Sequence, residues 1–345
     1  MHEYLNWMAK NTPTKWCNDS ADVGDLRNAL ESGAIGCTTN PPLSYLTLTT
    51  SPEVFAVEVA KVTGEPGDER AAQLIGVVVR HIAGLLTEVF EATGRVHGYV
   101  RAQVAPPLAN DAEAMLKMGR LFASWAPNIM VKIPGTAAGV KVLEELAAEG
   151  IATTPTVNTT ISQIIAVAEA NERGIARAIA AGISPAPSTS AIVLGRLQDF
   201  LVALNEKREA RLSTYDLECA GIAVVKRAYR ILRERGYAQA LMPAAFRCAR
   251  QVSELAGADV VMTIHPSVQA AVAEADAAGT ISRKPDAIDD EIDAEAVDRV
   301  SRAFPEFVAA YEPDGLEPAQ FGSFGANVMT LENFDVNGWQ KLRTL

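Results

Sequence analysis

The sequence predicts a (β/α)8 TIM barrel followed by a C-terminal helical and aromatic extension. Short apolar runs alternate with amphipathic stretches along most of the chain, and strands that alternate with helices pair in parallel because each crossover needs a helix. A series of about eight such units fits a closed barrel. The alternative is an open doubly wound sheet, but Asn18-Asp-Ser-Ala-Asp22 follows the first strand in place of a glycine-rich dinucleotide motif. This difference favours the barrel.

The apolar runs predict seven of the eight strands directly. Each run is short and is bounded by residues that favour turns. The remaining strand, sixth in order, is expected in the region 176–184, where the pattern is poor. The seven runs are Lys15–Asp19, Ala34–Thr39, Gly98–Val104, Ile129–Pro134, Ile151–Val157, Gln239–Ala245 and Asp259–His265.

The amphipathic stretches between these runs predict helices. In Ala138–Glu149 the apolar residues recur at helical spacing and form a single stripe. The other stretches with a clear pattern are Asp111–Trp125, Thr160–Glu172, Leu217–Arg235 and Ser267–Ala277.

The segment after Ala278 has a different character. It begins with an acidic run at 286–298, which is typical of a solvated helix face. Aromatic residues follow, and they predict packing on the barrel or on a second subunit; the sequence leaves both open. We therefore predict a catalytic barrel domain at residues 1–278 and an extension at 279–345. The aromatic residues are Phe304, Phe307, Tyr311, Phe321, Phe324, Phe334 and Trp339.

Composition excludes several classes of function. The 345-residue chain has a net charge of −11, which argues against a nucleic-acid partner. We find neither a signal pattern nor an apolar run long enough to cross a membrane. The four cysteines form no CxxC motif and predict no disulfide framework or zinc site; strand parity places Cys17 inward and Cys37 outward. We expect a cytoplasmic protein without metal or cofactor, and a homo-oligomer is left open.

Lys132 is the most informative single residue. It stands in the apolar run Asn128-Ile-Met-Val-Lys-Ile-Pro134, which reads as a buried strand. Burial disfavours the ammonium form and lowers the pKa, and a neutral amine is a nucleophile for carbonyl carbons. The alternative is a lysine at a strand end whose stem is buried and whose amine reaches water.

Polar residues follow most of the other predicted strands at their carboxyl ends, where the chemistry of this fold gathers. Each one taken singly is more often structural: Asp19 could cap a helix, and Thr39-Asn40-Pro41 could form a turn. A packed barrel interior is mostly apolar, so together they predict a site. The residues are Asp19, Thr38, Asn40, Gln103, Thr154, Thr156, Arg247 and His265.

Together with Lys132 these residue types fit carbonyl chemistry. A neutral lysine adds to a ketone, loses water and becomes an iminium, which withdraws electrons so that a carbon–carbon bond can break. Asp19 and His265 are the candidates to move protons. Thr38, Asn40, Gln103, Thr154 and Thr156 could hold substrate hydroxyls. Arg196 and Arg247 suit a phosphate or another anion.

Five motifs surround these residues. They are Trp16-Cys-Asn-Asp19-Ser-Ala-Asp22, Gly36-Cys-Thr-Thr-Asn40-Pro, Asn128-Ile-Met-Val-Lys132-Ile-Pro-Gly-Thr136, Leu194-Gly-Arg196 and Ala244-Ala-Phe-Arg247. From roughly Trp16 to Pro266 the chain resembles the transaldolase family, which includes fructose-6-phosphate aldolases. The resemblance implies an imine-forming lysine at Lys132, a catalytic aspartate at Asp19 and an active-site threonine at Thr156.

The chain also departs from that family. Gln103 stands where transaldolases usually have glutamate, and glutamine is typical of the aldolase branch. The stretch Ser184–Val193 carries neither the phenylalanine of transaldolases nor the tyrosine of the aldolases, and the sequence leaves open whether its insertion Pro185–Ile192 covers the site. Ala245 replaces a serine beside the phosphate-binding arginine, which weakens the prediction of a phosphosugar. His265 is unexpected at its position and either moves protons or only packs.

We therefore predict an enzyme that makes or breaks carbon–carbon bonds of a sugar-like ketose through a Schiff base, as a transaldolase or a direct aldolase. A small-molecule sugar or sugar phosphate is the expected substrate. The alternatives are a catalytically retired barrel that serves as a binding or scaffold protein, and an enzyme that uses the imine for dehydration or isomerisation.

Overall fold

Parallel strands alternate with helices in the computed structural model, which describes residues 2–345. The strands are β1 Lys15–Asn18, β2 Gly36–Thr38, β3 Tyr99–Gln103, β4 Ile129–Pro134, β5 Thr153–Thr156, β6 Thr189–Ile192, β7 Ala240–Pro243 and β8 Val261–Ile264. The helices are α1 Glu3–Asn11, α2 Val23–Glu31, α3 Pro41–Thr50, α4 Pro52–Val59, α5 Asp68–Leu85, α6 Thr87–Ala92, α7 Ala112–Ala123, α8 Ala137–Ala148, α9 Ile161–Ala180, α10 Leu194–Arg208, α11 Thr214–Arg235, α12 Ala249–Ser253, α13 Pro266–Ala277, α14 Ala294–Ala303, α15 Pro305–Tyr311, α16 Gly325–Phe334 and α17 Gln340–Thr344.

The strands form a curled parallel sheet. Six of them pair in the order β5-β4-β3-β2-β1-β8, and β6 pairs with β7. Isolated backbone bridges connect the two groups: Thr153 with Ser188 beside β5 and β6, and Ala244 with Thr263 beside β7 and β8. The fold is therefore mixed α/β and TIM-barrel-like, and it brings the carboxyl ends of the strands toward one another.

The sixth strand lies further along the chain than the sequence pattern predicted. Region 176–184 belongs to the end of α9 and the turn after it, and β6 is formed by Thr189–Ile192. Helix α9 continues because Gly174 and Ala178 are buried on the same face as its earlier apolar residues. The strand escaped detection because its side chains are small and partly polar. The stretch Pro185–Ile192 therefore ends in a strand.

Apolar residues pack on both faces of the curled sheet, inside it and between it and the helices. A small inner cluster contains Cys17, Ala191 and Met242, among others. Cys37 belongs to one of the larger clusters between sheet and helices. The predicted inward and outward directions of Cys17 and Cys37 are confirmed, and both thiols are free.

The segment 279–345 packs on helices of the same chain. Helix α14 lies against α11, α16 against α10, and α17 against α5. The Trp339 indole nitrogen donates a hydrogen bond to Asp68 Oδ1 at 2.8 Å. A Cβ atom at Gly338 would lie 2.3 Å from the backbone nitrogen of Pro42, so glycine permits this close approach to α3. The segment thereby reaches the turn that follows β2.

None of the helices within residues 2–345 has both the length and the apolar character that crossing a lipid bilayer requires.

Lys226 anchors the start of this segment to α11. Its side chain is 2% exposed, and Nζ donates to the carbonyl oxygens of Ala287 and Asp290, each at 2.8 Å. Glu254 lies 3.7 Å away. We expect Lys226→Met to lower the free energy of unfolding by about 2–4 kcal/mol, because two buried carbonyls and a carboxylate lose their partner. Urea denaturation measures the change. The exposed Lys207→Met is the control, and equal stability of the two variants would contradict the anchoring role.

Candidate active site

A small cavity of about 60 Å³ lies at the carboxyl ends of the strands. Six of the residues predicted for the site line it together, although they come from β1, β2, β4, β5 and α10 or from the turns beside them. These are Asp19, Thr38, Asn40, Lys132, Thr156 and Arg196. The curled sheet therefore brings most of the predicted polar groups to one place.

Lys132 is buried within β4 and its side chain reaches this cavity. It is 7% exposed, and Nζ donates a hydrogen bond to the carbonyl oxygen of Thr39 at 3.0 Å. Burial lowers the pKa of Lys132 to about 8; Asp19 opposes this shift and Arg101 adds to it. At pH 7 such an amine is neutral in about one molecule in ten, against about one in 3000 for an ordinary lysine. Lys132 is thus prepared to act as a nucleophile.

Asp19 stands at the end of a chain of hydroxyl groups. Thr38 Oγ1 donates to Asp19 Oδ1 at 2.5 Å, and the hydroxyls of Thr38 and Thr263 are also 2.5 Å apart. Asp19 is half-buried, and all three residues line the cavity. Hydrogen bonds to a carboxylate fix its orientation. This arrangement holds Asp19 in position to exchange a proton with a molecule in the cavity.

Thr263 was missed by the sequence reasoning, which selected His265 on the same strand run. Strand β8 ends at Ile264, and His265 is exposed as the residue before α13. Its Nδ1 accepts a hydrogen bond from the backbone N–H of Ser267 at 3.2 Å. His265 therefore caps a helix and lies outside the cavity lining, because Pro266 starts that helix. The alternation of side chains along a strand could have indicated Thr263, because a residue two positions before His265 faces the same side of the strand.

Gln103 and Thr154 lie beside Lys132 in the sheet but outside the cavity lining. Both pair in register with Lys132, from β3 and β5. The carboxamide oxygen of Gln103 is buried and has no hydrogen-bond partner. The hydroxyl of Thr154 faces the sulfur of Met130 at 3.8 Å. A buried oxygen without a hydrogen-bond partner is costly, and accepting a hydrogen bond from a bound molecule would remove that cost. Gln103 is therefore the better candidate for holding a water or a hydroxyl.

The two predicted anion-binding arginines share one carboxylate. Arg247 forms a two-point ion pair with Asp199, with distances of 2.9 Å from Nε and 2.5 Å from Nη2. Arg196 Nη1 lies 3.9 Å from the same carboxylate. Arg196 lines the cavity and Arg247 does not. An anion in the cavity would therefore meet Arg196 first.

Phe334, in the C-terminal segment, lines the cavity. It ends α16 and is part of the cavity lining. The guanidinium of Arg196 lies 5.4 Å from the centre of its ring, a cation–π contact. Arg196 Nη2 also donates to Asn333 Oδ1 at 3.2 Å. Sequence reasoning assigned Phe334 only to the packing of the tail, because nothing in the local sequence indicates a contact with residues far upstream.

The backbone is strained at two positions beside the cavity. Val157 and Ala245, which follow β5 and β7, have φ angles of 57° and 63°. A β-branched residue in the left-handed region is rare, and such strain costs about 1–3 kcal/mol. Val157 directly follows Thr156, so the strained turn sets the position of a residue that lines the cavity.

Comparison with known proteins shows the family of this chain. The chain matches the sequence model of the family described as Transaldolase/Fructose-6-phosphate aldolase over residues 16–323. The match extends beyond Pro266, where the resemblance was expected to end, and it includes much of the segment 279–345.

Several curated relatives are named Transaldolase. The chain is 31% identical to one from Thiobacillus denitrificans over 226 residues, which cover 64% of this chain and 63% of that protein. It is 30% identical to one from Xanthomonas euvesicatoria over 257 residues, 72% of each chain. Transaldolase 2 of a Nostoc species is 29% identical over 56% of this chain and 52% of its own length. The chain thus spans about half to just under two thirds of the first relatives it matches.

Proposed function

The chain belongs to the transaldolase/fructose-6-phosphate aldolase family, and on that premise we propose that it makes or breaks a carbon–carbon bond of a sugar-like ketose through an imine on Lys132. The observation that carries the proposal is the shared cavity of a buried amine and a hydrogen-bonded carboxylate, Lys132 and Asp19. The enzyme class is a Schiff-base transferase or aldolase.

The proposed reaction begins with the neutral amine of Lys132, which attacks the ketone carbon. The carbinolamine loses water, and the resulting iminium accepts the electron pair of the bond that breaks. Asp19 takes the proton of the hydroxyl that becomes the aldehyde. The Thr38 hydroxyl, itself bonded to that of Thr263, holds the Asp19 carboxylate. The aldehyde leaves, and the enamine remains on Lys132. Asn40 and Thr156 line the same space and hold substrate hydroxyls, and Gln103 holds water.

The fate of the enamine separates the two members of this class. Transfer to an acceptor aldehyde is transaldolase chemistry, and protonation followed by hydrolysis is aldolase chemistry. The relatives' names favour transfer, whereas Gln103 resembles the aldolase branch. We propose a sugar or sugar-phosphate substrate whose anionic end binds Arg196. A phosphate would have to compete with Asp199 for Arg247.

We also propose that the eight strands close into one barrel, since two isolated bridges lie between β5 and β6 and one lies between β7 and β8. The boundary between residues 1–278 and 279–345, the cytoplasmic location and a homo-oligomer stay predictions. A proton-transfer role for His265 is not part of the proposal, because its ring nitrogen is engaged at the start of α13.

Borohydride trapping tests the proposed function. The protein is incubated with dihydroxyacetone, fructose 6-phosphate or unphosphorylated ketoses, then reduced, digested and mapped by mass spectrometry. We expect one adduct, on Lys132, and the ketose that traps best indicates the substrate. The absence of an adduct with every ketose would contradict the proposal and favour the scaffold alternative. An adduct without cleavage products would favour dehydration or isomerisation.

The rate of trapping should depend on pH. Because the pKa of Lys132 is lowered to about 8, the neutral amine increases as pH rises through that value. We expect the initial rate of dihydroxyacetone trapping to rise tenfold per unit below about pH 8 and then to level off. A rate that keeps rising to pH 10 would contradict the lowered pKa.

Phe334 should limit the size of the substrate. The cavity has room for only a few waters, and the ring of Phe334 is part of its lining. We expect Phe334→Ala to raise the trapping of fructose relative to dihydroxyacetone about tenfold, because removing the ring makes room for the longer ketose. The nearby exposed Val336→Ala is the control. An unchanged ratio in Phe334→Ala would show that the ring does not restrict entry.

A further inference from the structure

A second charged group lies inside the curled sheet. It does not line the cavity of the proposed reaction, although its charge lowers the pKa of Lys132. Arg101 is in the middle of β3 and is 4% exposed. Its guanidinium is directed toward the amino ends of the strands, since Nη1 donates to the carbonyl oxygen of Tyr99 at 3.2 Å. A Cβ atom at Gly36 would lie 3.0 Å from the same nitrogen, so the glycine makes room for the guanidinium.

This buried cation has no counter-ion. Among residues 2–345 no carboxylate forms an ion pair with Arg101, and its Nε is buried without a hydrogen-bond partner. The Sγ of Cys17 lies 3.2 Å from Nη1, but burial raises the pKa of this thiol, which keeps it neutral. An uncompensated buried charge costs several kcal/mol. A ligand of opposite charge would remove that cost.

A cavity of about 220 Å³ adjoins Arg101 at the amino ends of the strands. It is separate from the cavity that contains Lys132, and the two share no lining residue. Its lining also includes His97 and Thr189, which carries a hydroxyl group. Burial lowers the pKa of His97, and the charges of Lys15 and Arg101 lower it further. The cavity is therefore electropositive and has ample room for a small ion with water.

We propose that this amino-end cavity binds a small oxyanion, of the phosphate or carboxylate class, through the guanidinium of Arg101. A planar guanidinium binds such oxygens by hydrogen bonds from its N–H groups, and the side chain of Arg101 lines the cavity. The proposal does not depend on the proposed function, because the site lies at the opposite end of the sheet from Lys132.

Isothermal titration with inorganic phosphate tests the site. The experiment uses the full chain with Arg196→Met and Arg247→Met, which removes the arginines at the carboxyl ends. We expect saturable binding of one phosphate per chain, and at least tenfold weaker binding when Arg101→Met is added. Adding the exposed Arg302→Met instead should leave binding unchanged. Titration with acetate then distinguishes a preference for phosphate from a preference for carboxylate.

A second variant keeps the test decisive if Arg101→Met does not fold. Ala240 lines the cavity and is partly buried, and Ala240→Leu narrows the space while leaving Arg101 intact. We expect this change also to weaken phosphate binding at least tenfold. No saturable binding to the chain lacking Arg196 and Arg247, or binding that neither Arg101→Met nor Ala240→Leu alters, would overturn the proposal.

Discussion

Lys132→Met should lower kcat/KM at least about 10³-fold, because it removes the amine that forms the imine while keeping a side chain of similar length. The lysine is 7% exposed, and its Nζ hydrogen-bonds one backbone carbonyl, that of Thr39. Methionine leaves this carbonyl without its donor but removes a buried charge, so the variant should fold with a stability close to that of the parent. Ketose cleavage assays together with urea denaturation measure both effects.

Lys226→Met is the matched control for this prediction. Both lysines are almost fully buried, but Lys226 lies on α11, where it bonds to backbone carbonyls. We expect Lys226→Met to lose stability and to keep the borohydride adduct, whereas Lys132→Met loses the adduct and keeps its stability. An adduct that survives in Lys132→Met would assign the chemistry to another amine and overturn the proposed mechanism.

Asp19→Asn should lower turnover by about 10²–10⁴-fold, the range typical of losing a general acid–base group. Asparagine can still accept the hydrogen bond from Thr38, so the geometry of the site should persist. Cleavage assays measure the loss, and the melting temperature reports whether the fold is intact.

The same variant should change the pH dependence of trapping in a defined direction. The negative charge of Asp19 raises the pKa of Lys132 against the effect of burial. Its removal should therefore lower that pKa further, so that trapping levels off at a lower pH than in the parent. Turnover falls while the amine becomes neutral more easily, and a merely structural role for Asp19 would not produce this combination. Unchanged turnover, or a shift to higher pH, would contradict the assignment.

The local sequence was sufficient to predict the strands that are mostly apolar on both faces. Strand β4 has the bounds that its apolar run predicted, Ile129–Pro134. Its single lysine, Lys132, was proposed as the nucleophile before any geometry was known. Polar residues at the ends of parallel strands converge because the strands run in the same direction. Asp19, Thr38, Asn40 and Thr156 were therefore placed with Lys132 from the sequence.

Other features depended on contacts between distant parts of the chain. The small side chains of β6 form a strand only because the curled sheet supplies neighbours on both sides, so a local pattern could not identify it. Arg247 was predicted to bind an anion from its residue type and motif, but its ion pair with Asp199 follows from the packing of α10 beside the turn after β7. His265 and Thr263 were distinguished by the position where β8 ends.

Hydrophobic periodicity and polar residues inside or at the end of apolar runs are local properties of the sequence. They sufficed to predict the alternating order of strands and helices, the proposed nucleophile Lys132 and most of the residues that line the cavity with it. The contact of Phe334 with the cavity and the unpaired guanidinium of Arg101 are tertiary properties. Each depends on which residues from remote segments share a buried space. Short-range spacing carries no information about that, because burial and pairing are decided only when the sheet curls and the C-terminal segment packs across it.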